Sequence, residues 1–200
     1  MKKLILASED IMSRQVKEEF FKLIEKDLSR ARVLALLTER KKLSSEKIKD
    51  QFVLLNIKKE NITCVNISEE ILAEKFKGFD IIYVYGGNRY TILDRIRKTG
   101  FDKLIQSHVK EGGLYVGNSA GSIIAGPQIE ITKFWDDTDP NEVGIEDLTG
   151  LNLTNISIFP HANQKPNVDL EKFRKQVNYP IMSVKDGEAI IIKGEEAIKV

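Results

Sequence analysis

Apolar residues in this chain come in short unbroken runs separated by amphipathic stretches. Leu4, Ile5, Leu6 and Ala7 form the first run. The segment 11–24 places Val16, Phe20, Phe21, Leu23 and Ile24 at near-helical spacing behind the capping candidates Ser8 and Asp10. That reads as a strand followed by a helix. The alternation continues with a strand over 32–37, a helix over 44–57 capped by Ser44 or Ser45, a strand over 62–67 and a short helix over 68–76. A strand over 81–85, two helices across 90–109 and a strand over 113–116 follow. Strands this uniformly apolar are buried on both faces, so the pattern predicts an α/β three-layer sandwich around a largely parallel central sheet. From residue 181 the pattern becomes strand-only, with runs at 189–192 and 197–200 separated by Lys193, Gly194, Glu195 and Glu196. A C-terminal antiparallel hairpin is expected there.

No internal repeat and no Pro, Gly or Ser-rich linker interrupts the chain, so a single domain is expected over residues 1–200. Lys and Arg together number 31 against 30 for Asp and Glu, which leaves no net field to favour nucleic acid or an anionic membrane. No stretch approaches the roughly 20 apolar residues of a membrane span, and the apolar run after Lys2 and Lys3 is too short for a signal peptide. Cys64 is the sole cysteine, so intrachain disulfides and CxxC metal sites are ruled out. A cytoplasmic protein is the expectation.

In sheets of this kind ligands gather beyond the carboxyl ends of the strands. Gly117, Asn118, Ser119, Ala120 and Gly121 form a Gly-x-Ser-x-Gly pentapeptide directly after Leu114, Tyr115 and Val116, and lead into Ser122, Ile123 and Ile124. Strand, sharp turn and helix are what a nucleophile elbow requires, with Ser119 projecting from the sheet and the Ala120 N–H aimed where an oxyanion forms. Gly86, Gly87 and Asn88 follow the strand over 81–85 and read either as a second oxyanion donor or as a turn with Asn88 as a helix cap. Asn88, Arg89 and Asn118 flank these turns and are candidate substrate-binding residues.

A serine hydroxyl needs a base to take its proton, and histidine is the usual one. Of the two histidines, His108 falls within a helix and reads as structural or solvent-exposed. His161 follows the run 156–159 and comes after Ser119, the chain order of nucleophile and base in α/β hydrolases. The residues leave the orienting acid open among Asp136, Asp137, Asp139, Asp186 and Glu188. The acidic stretch around Trp135 lacks EF-hand spacing, so no metal is expected there.

The stretch Ile81-Ile82-Tyr83-Val84-Tyr85-Gly86-Gly87-Asn88, the elbow Tyr115-Val116-Gly117-Asn118-Ser119-Ala120-Gly121 and the pair Pro160-His161 resemble the peptidase E family of aspartyl dipeptidases, with its relative cyanophycinase. The resemblance runs through about residues 78 to 192. It implies a fold related to class I glutamine amidotransferases and a Ser-His-Glu triad, with no cofactor and a small peptide as substrate. By position it implies Ser119 as nucleophile, His161 as base and the N–H groups of Gly87 and Ala120 as oxyanion hole. The family's acid sits in a Pro-Glu-Gly-like turn that here reads Lys185-Asp186-Gly187, which makes Asp186 the third member and Glu188 the alternative. Aspartate is one methylene shorter, so reach rather than chemistry is what the change affects. The segment after His161 is also shorter than in the family, and aspartyl specificity does not carry over by itself. An acidic substrate side chain would need a cation, for which Arg89, Lys165 and Arg174 are the candidates. The alternatives are an isoaspartyl or cyanophycin-like hydrolase, an esterase, or a silent binding domain that keeps the elbow as a turn.

Overall fold

The computed structural model describes residues 1–38, 42–68, 71–130, 139–165 and 168–200. Five of its strands run parallel at the centre: β1 (Lys3–Ala7), β2 (Val33–Leu37), β3 (Ile62–Asn66), β4 (Ile81–Val84) and β5 (Leu114–Asn118). Their order is β3-β2-β4-β5-β1. The two-stranded ladder of β6 (Ser157–Phe159) and β7 (Ile181–Ser183) stands apart from this sheet. The antiparallel pair β8 (Ala189–Lys193) and β9 (Glu196–Lys199) extends the main sheet beyond β1. The fold is therefore α/β with a largely parallel sheet and an antiparallel C-terminal hairpin.

Alternating residues of the strands feed two separate cores, as the period of a strand demands. Leu4, Leu6, Leu34 and Leu36 pack on one face with α3 (Arg89–Thr99), α4 (Phe101–Lys110) and the short α5 (Ala120–Ile124). Ile5, Ala7, Val33 and Ala35 pack on the other with α1 (Arg14–Leu23) and α2 (Lys42–Val53). The side ladder joins the first core through Ile158, Phe159 and Ile181, and the short α6 (Leu170–Arg174) adds Phe173. At the centre of the sheet, β1 and β5 lie side by side with Ala7 opposite Asn118. Ser8 and Ser119 therefore leave the sheet at the same level.

Several boundaries differ from the sequence expectation. Helix α1 is capped by Ser13, whose Oγ accepts the Val16 N–H, and not by Ser8 or Asp10. The Asp10 carboxylate is taken by the Met12 N–H at 2.9 Å instead. Helix α2 begins at Lys42, which puts Ser44 and Ser45 inside its first turn. The helix expected over 68–76 reduces to a 3-10 turn at Ala73–Lys75, with residues 69 and 70 outside the described set. Asn66 Oδ1 accepts the Ser68 N–H at 3.0 Å, a local turn that competes with helix initiation. Among the described residues no helix is long and apolar enough to cross a membrane.

Candidate active site

Ser119 sits at the end of β5 with φ 49° and ψ −110°, a conformation that residues with a Cβ avoid. The surroundings hold it there. Its N–H donates to the Ala7 carbonyl at 3.1 Å, and its own carbonyl accepts the N–H groups of Ser122 and Ile123 at 2.9 and 3.1 Å. The buried Ser122 hydroxyl lies 2.7 Å from the Ala7 carbonyl and 2.9 Å from that of Gly117. Both elbow glycines are required by contact: a Cβ at Gly117 would lie 2.6 Å from the Gly121 carbonyl oxygen, and one at Gly121 would lie 2.2 Å from that of Val84. Either substitution would push the helix off the strand.

His161 follows β6 in a left-handed conformation, φ 56° and ψ 34°. Its backbone N–H donates to Ser8 Oγ at 2.8 Å. Its ring bridges two partners: Nε2 lies 2.9 Å from Ser119 Oγ, and Nδ1 lies 2.6 Å from Asp186 Oδ1. Asp186 stands just beyond β7 in the turn Lys185-Asp186-Gly187. Its Oδ1 also accepts the Ser8 hydroxyl at 2.9 Å, while Oδ2 accepts the amides of Asn163 at 3.2 Å and Gln164 at 2.6 Å. Burial pushes the carboxyl pKa up, but the hydrogen bonds from Gln164, His161, Ser8 and Asn163 outweigh it and hold the pKa at about 2. An ionised carboxylate only accepts, so Nδ1 carries the ring proton and Nε2 is left as the acceptor facing Ser119.

The glycine turn after β4 lies against the elbow. A Cβ at Gly86 would be 3.2 Å from Ser119 Cβ and 3.0 Å from Asn118 Oδ1. Asn88 caps α3 by accepting the N–H groups of Tyr90 and Thr91 at 3.0 and 3.1 Å, and its amide donates to the Pro140 carbonyl at 2.8 Å. The Asn118 amide donates to the buried Tyr83 hydroxyl at 3.1 Å. Arg89 is only 2% exposed and pairs with Asp139 at 2.9 Å, its guanidinium also stacking over Tyr90. The described contacts of Asn88, Arg89 and Asn118, expected as substrate-binding residues, go to other groups of the protein. Arg174 pairs with Glu171 and donates to the Ile181 carbonyl. Lys165 closes the 3-10 turn Ala162–Gln164 that follows His161.

The other acid candidates lie elsewhere. Glu188 accepts the Lys185 N–H at 2.9 Å and faces Lys199 at 3.4 Å. Asp139 is engaged with Arg89, and Asp136 and Asp137 fall outside the described residues. His108 is at the opposite end of β5, 3.1 Å from the Leu114 carbonyl, where burial holds its pKa below the usual value.

The model of Peptidase family S51 matches residues 6–200. The chain belongs to peptidase family S51. It is a serine peptidase family, and this S51 chain has relatives along much of its length. An uncharacterized peptidase of Listeria monocytogenes serovar 1/2a is 36% identical over 143 residues, 67% of this chain and 68% of that protein. One of Pasteurella multocida is 31% identical over 130 residues, covering 62% of that protein. Peptidase E of Salmonella newport is 34% identical over 117 residues, 58% of this chain and 48% of that protein. The match thus spans about half the length of that peptidase E. A crystal structure of a candidate peptidase E from Listeria monocytogenes EGD-e superposes with TM-score 0.78 at 30% identity, covering 100% of this chain and 98% of that one. A peptidase from an acI-B1 actinobacterium shares the fold, with TM-score 0.68 at 16% identity over 96% of this chain and 84% of that one.

Three residues around the candidate triad were not anticipated: Ser8, Asn163 and Gln164. Ser8 reads as a helix cap in sequence, yet it stands directly after a central strand, where chemistry collects in such sheets. Asn163 and Gln164 follow His161 closely and carry no pattern of their own.

Proposed function

We propose that this chain hydrolyses short peptides through an acyl-enzyme formed on Ser119. The reading is carried by one observation: His161 lies between Ser119 at 2.9 Å and Asp186 at 2.6 Å, with Nδ1 on the acid and Nε2 on the serine. His161 takes the Ser119 proton as Oγ attacks the amide carbonyl, and Asp186 stabilises the imidazolium that forms. The N–H groups of Gly87 and Ala120 receive the oxyanion, a role supported by the packing of Gly86 against Ser119. His161 then protonates the departing amine, and water repeats the cycle on the ester. Every proton in the sequence is accounted for by Ser119, His161 and water.

Short peptides as the substrate class are supported by the peptidase E name of several relatives. An aspartyl preference draws no support from Arg89 or Arg174, whose cations pair with Asp139 and Glu171. The test is a fluorophosphonate probe on intact protein with mass-spectrometric site mapping, beside a dipeptide panel that begins with Asp-X. The expected outcome is modification at Ser119 and peptidase activity that both vanish in Ser119→Ala, with the melting temperature within a few degrees of wild type. Near-normal turnover by purified Ser119→Ala would sink the assignment.

A further inference from the structure

Ser8 is fully buried and touches both halves of the acid–base pair. Its Oγ accepts the His161 backbone N–H at 2.8 Å, so its single proton is free to go to Asp186 Oδ1 at 2.9 Å. The 3.5 Å approach of the same oxygen to His161 Nδ1 is too long to compete, because the Nδ1 proton already points at Asp186 at 2.6 Å. Ser8 is itself fixed: its N–H donates to the Glu188 carbonyl at 3.2 Å, and the preceding Ala7 carbonyl accepts the Ser119 N–H at 3.1 Å. One short segment, Ala7-Ser8, therefore ties the nucleophile's backbone to the base and the acid.

We infer that Ser8 is a positioning residue that sets the His161–Asp186 pair in register with Ser119. The inference rests on the peptidase reading above. Two geometric facts give it content. His161 holds a left-handed backbone, which is uncommon for a residue with a Cβ, and the Ser8 hydroxyl supplies a restraint on that backbone by accepting its N–H. Asp186 Oδ1 serves the imidazole and Ser8 together, so the Ser8 proton fixes where the shared oxygen sits. Without it the carboxylate keeps its Asn163 and Gln164 contacts on Oδ2 and is free to pivot about them. A hydroxyl that only helped the side ladder dock would affect melting and leave the chemistry of folded protein alone.

The experiment compares wild type, Ser8→Ala and Ser8→Cys by the rate of fluorophosphonate modification at Ser119, by kcat and KM on one dipeptide, by thermal melting, and by the NMR resonance of the His161 Nδ1 proton. The expected result for Ser8→Ala is a fall of about 10- to 100-fold in modification rate and in kcat, from the loss of one hydrogen bond to a charged group. KM stays within about threefold, the Nδ1 resonance shifts or broadens, and Ser8→Cys, a weaker donor of similar shape, falls in between. Unchanged rates and an unchanged Nδ1 resonance in either folded variant would overturn the role of Ser8 while leaving Ser119 as nucleophile. A wild-type protein that is neither modified at Ser119 nor active on any peptide would overturn both readings.

Discussion

Replacing Asp186 by Asn tests the site most directly, because the carboxylate is surrounded only by donors. Oδ1 accepts from His161 Nδ1 and Ser8 Oγ, and Oδ2 accepts from Asn163 Nδ2 and Gln164 Nε2. A carboxamide must turn its NH₂ toward one of these pairs. Turned toward Oδ1's partners, it forces the imidazole into the tautomer whose Nε2 carries a proton and has no lone pair for Ser119. Turned toward Oδ2's partners, it sets donor against donor at Gln164, where the present contact is 2.6 Å. The first orientation removes the base, and a drop in kcat of at least about 1,000-fold is expected from that tautomer effect. The stability cost follows from the carboxyl pKa, lowered from 3.8 to about 2, which corresponds to about 2 kcal/mol at neutral pH. For a chain of this size that is a fall in melting temperature of about 4–8 °C. Because the folded-state pKa is depressed, the wild-type advantage is fully present above about pH 5 and is lost as pH falls from about 4 toward 2. Thermal melts of both proteins at pH 7, 5 and 3, with turnover of one dipeptide at pH 7, check both parts. Turnover within tenfold of wild type, or a melting gap that does not narrow at pH 3, would refute the reasoning.

Asp139→Asn should reverse the balance between the two effects: it removes the negative charge that faces the buried Arg89 and costs about 1–3 kcal/mol, below the usual range for a buried pair because Asp139 is 30% exposed. Its kcat should fall less than that of Asp186→Asn, and the opposite order in parallel assays would move the acid to position 139. Ser119→Gly should be inactive yet melt no lower than wild type, since release of roughly 1–3 kcal/mol of backbone strain outweighs the roughly 0.5–1 kcal/mol entropic cost of glycine. A clear fall in melting temperature for that variant would show that Ser119 carries no strain.

The alternation of apolar runs and amphipathic stretches was enough to anticipate the parallel sheet, because strands such as Val33–Leu37 are buried along their whole length and leave no polar face to confuse the period. The elbow was legible for a similar reason: Gly117 and Gly121 are dictated by local contact, and local contact leaves a mark on local sequence. What escaped was whatever depends on chain segments meeting from afar. Ser8 and Asp186 are far apart in sequence and become neighbours only because β1 lies beside both β5 and β8. Arg89 was read as a cation for substrate because charge in sequence suggests solvent, while its burial against Asp139 is a tertiary event. The residues alone left the acid open among five carboxylates. Asp186 is distinguished by standing beyond β7, in a ladder whose pairing with β6 no periodicity announced.

That ladder is a seam. The serine stands at the end of a main-sheet strand, whereas the histidine follows β6 of the side ladder and the aspartate lies between β7 of that ladder and the main-sheet strand β8. Separation of the seam by a few ångströms would strand the nucleophile without its base while the seven-stranded sheet stayed whole. On the mechanism proposed here, activity therefore requires the buried contacts of Ile158, Phe159 and Ile181 that dock this ladder into the core beside the sheet.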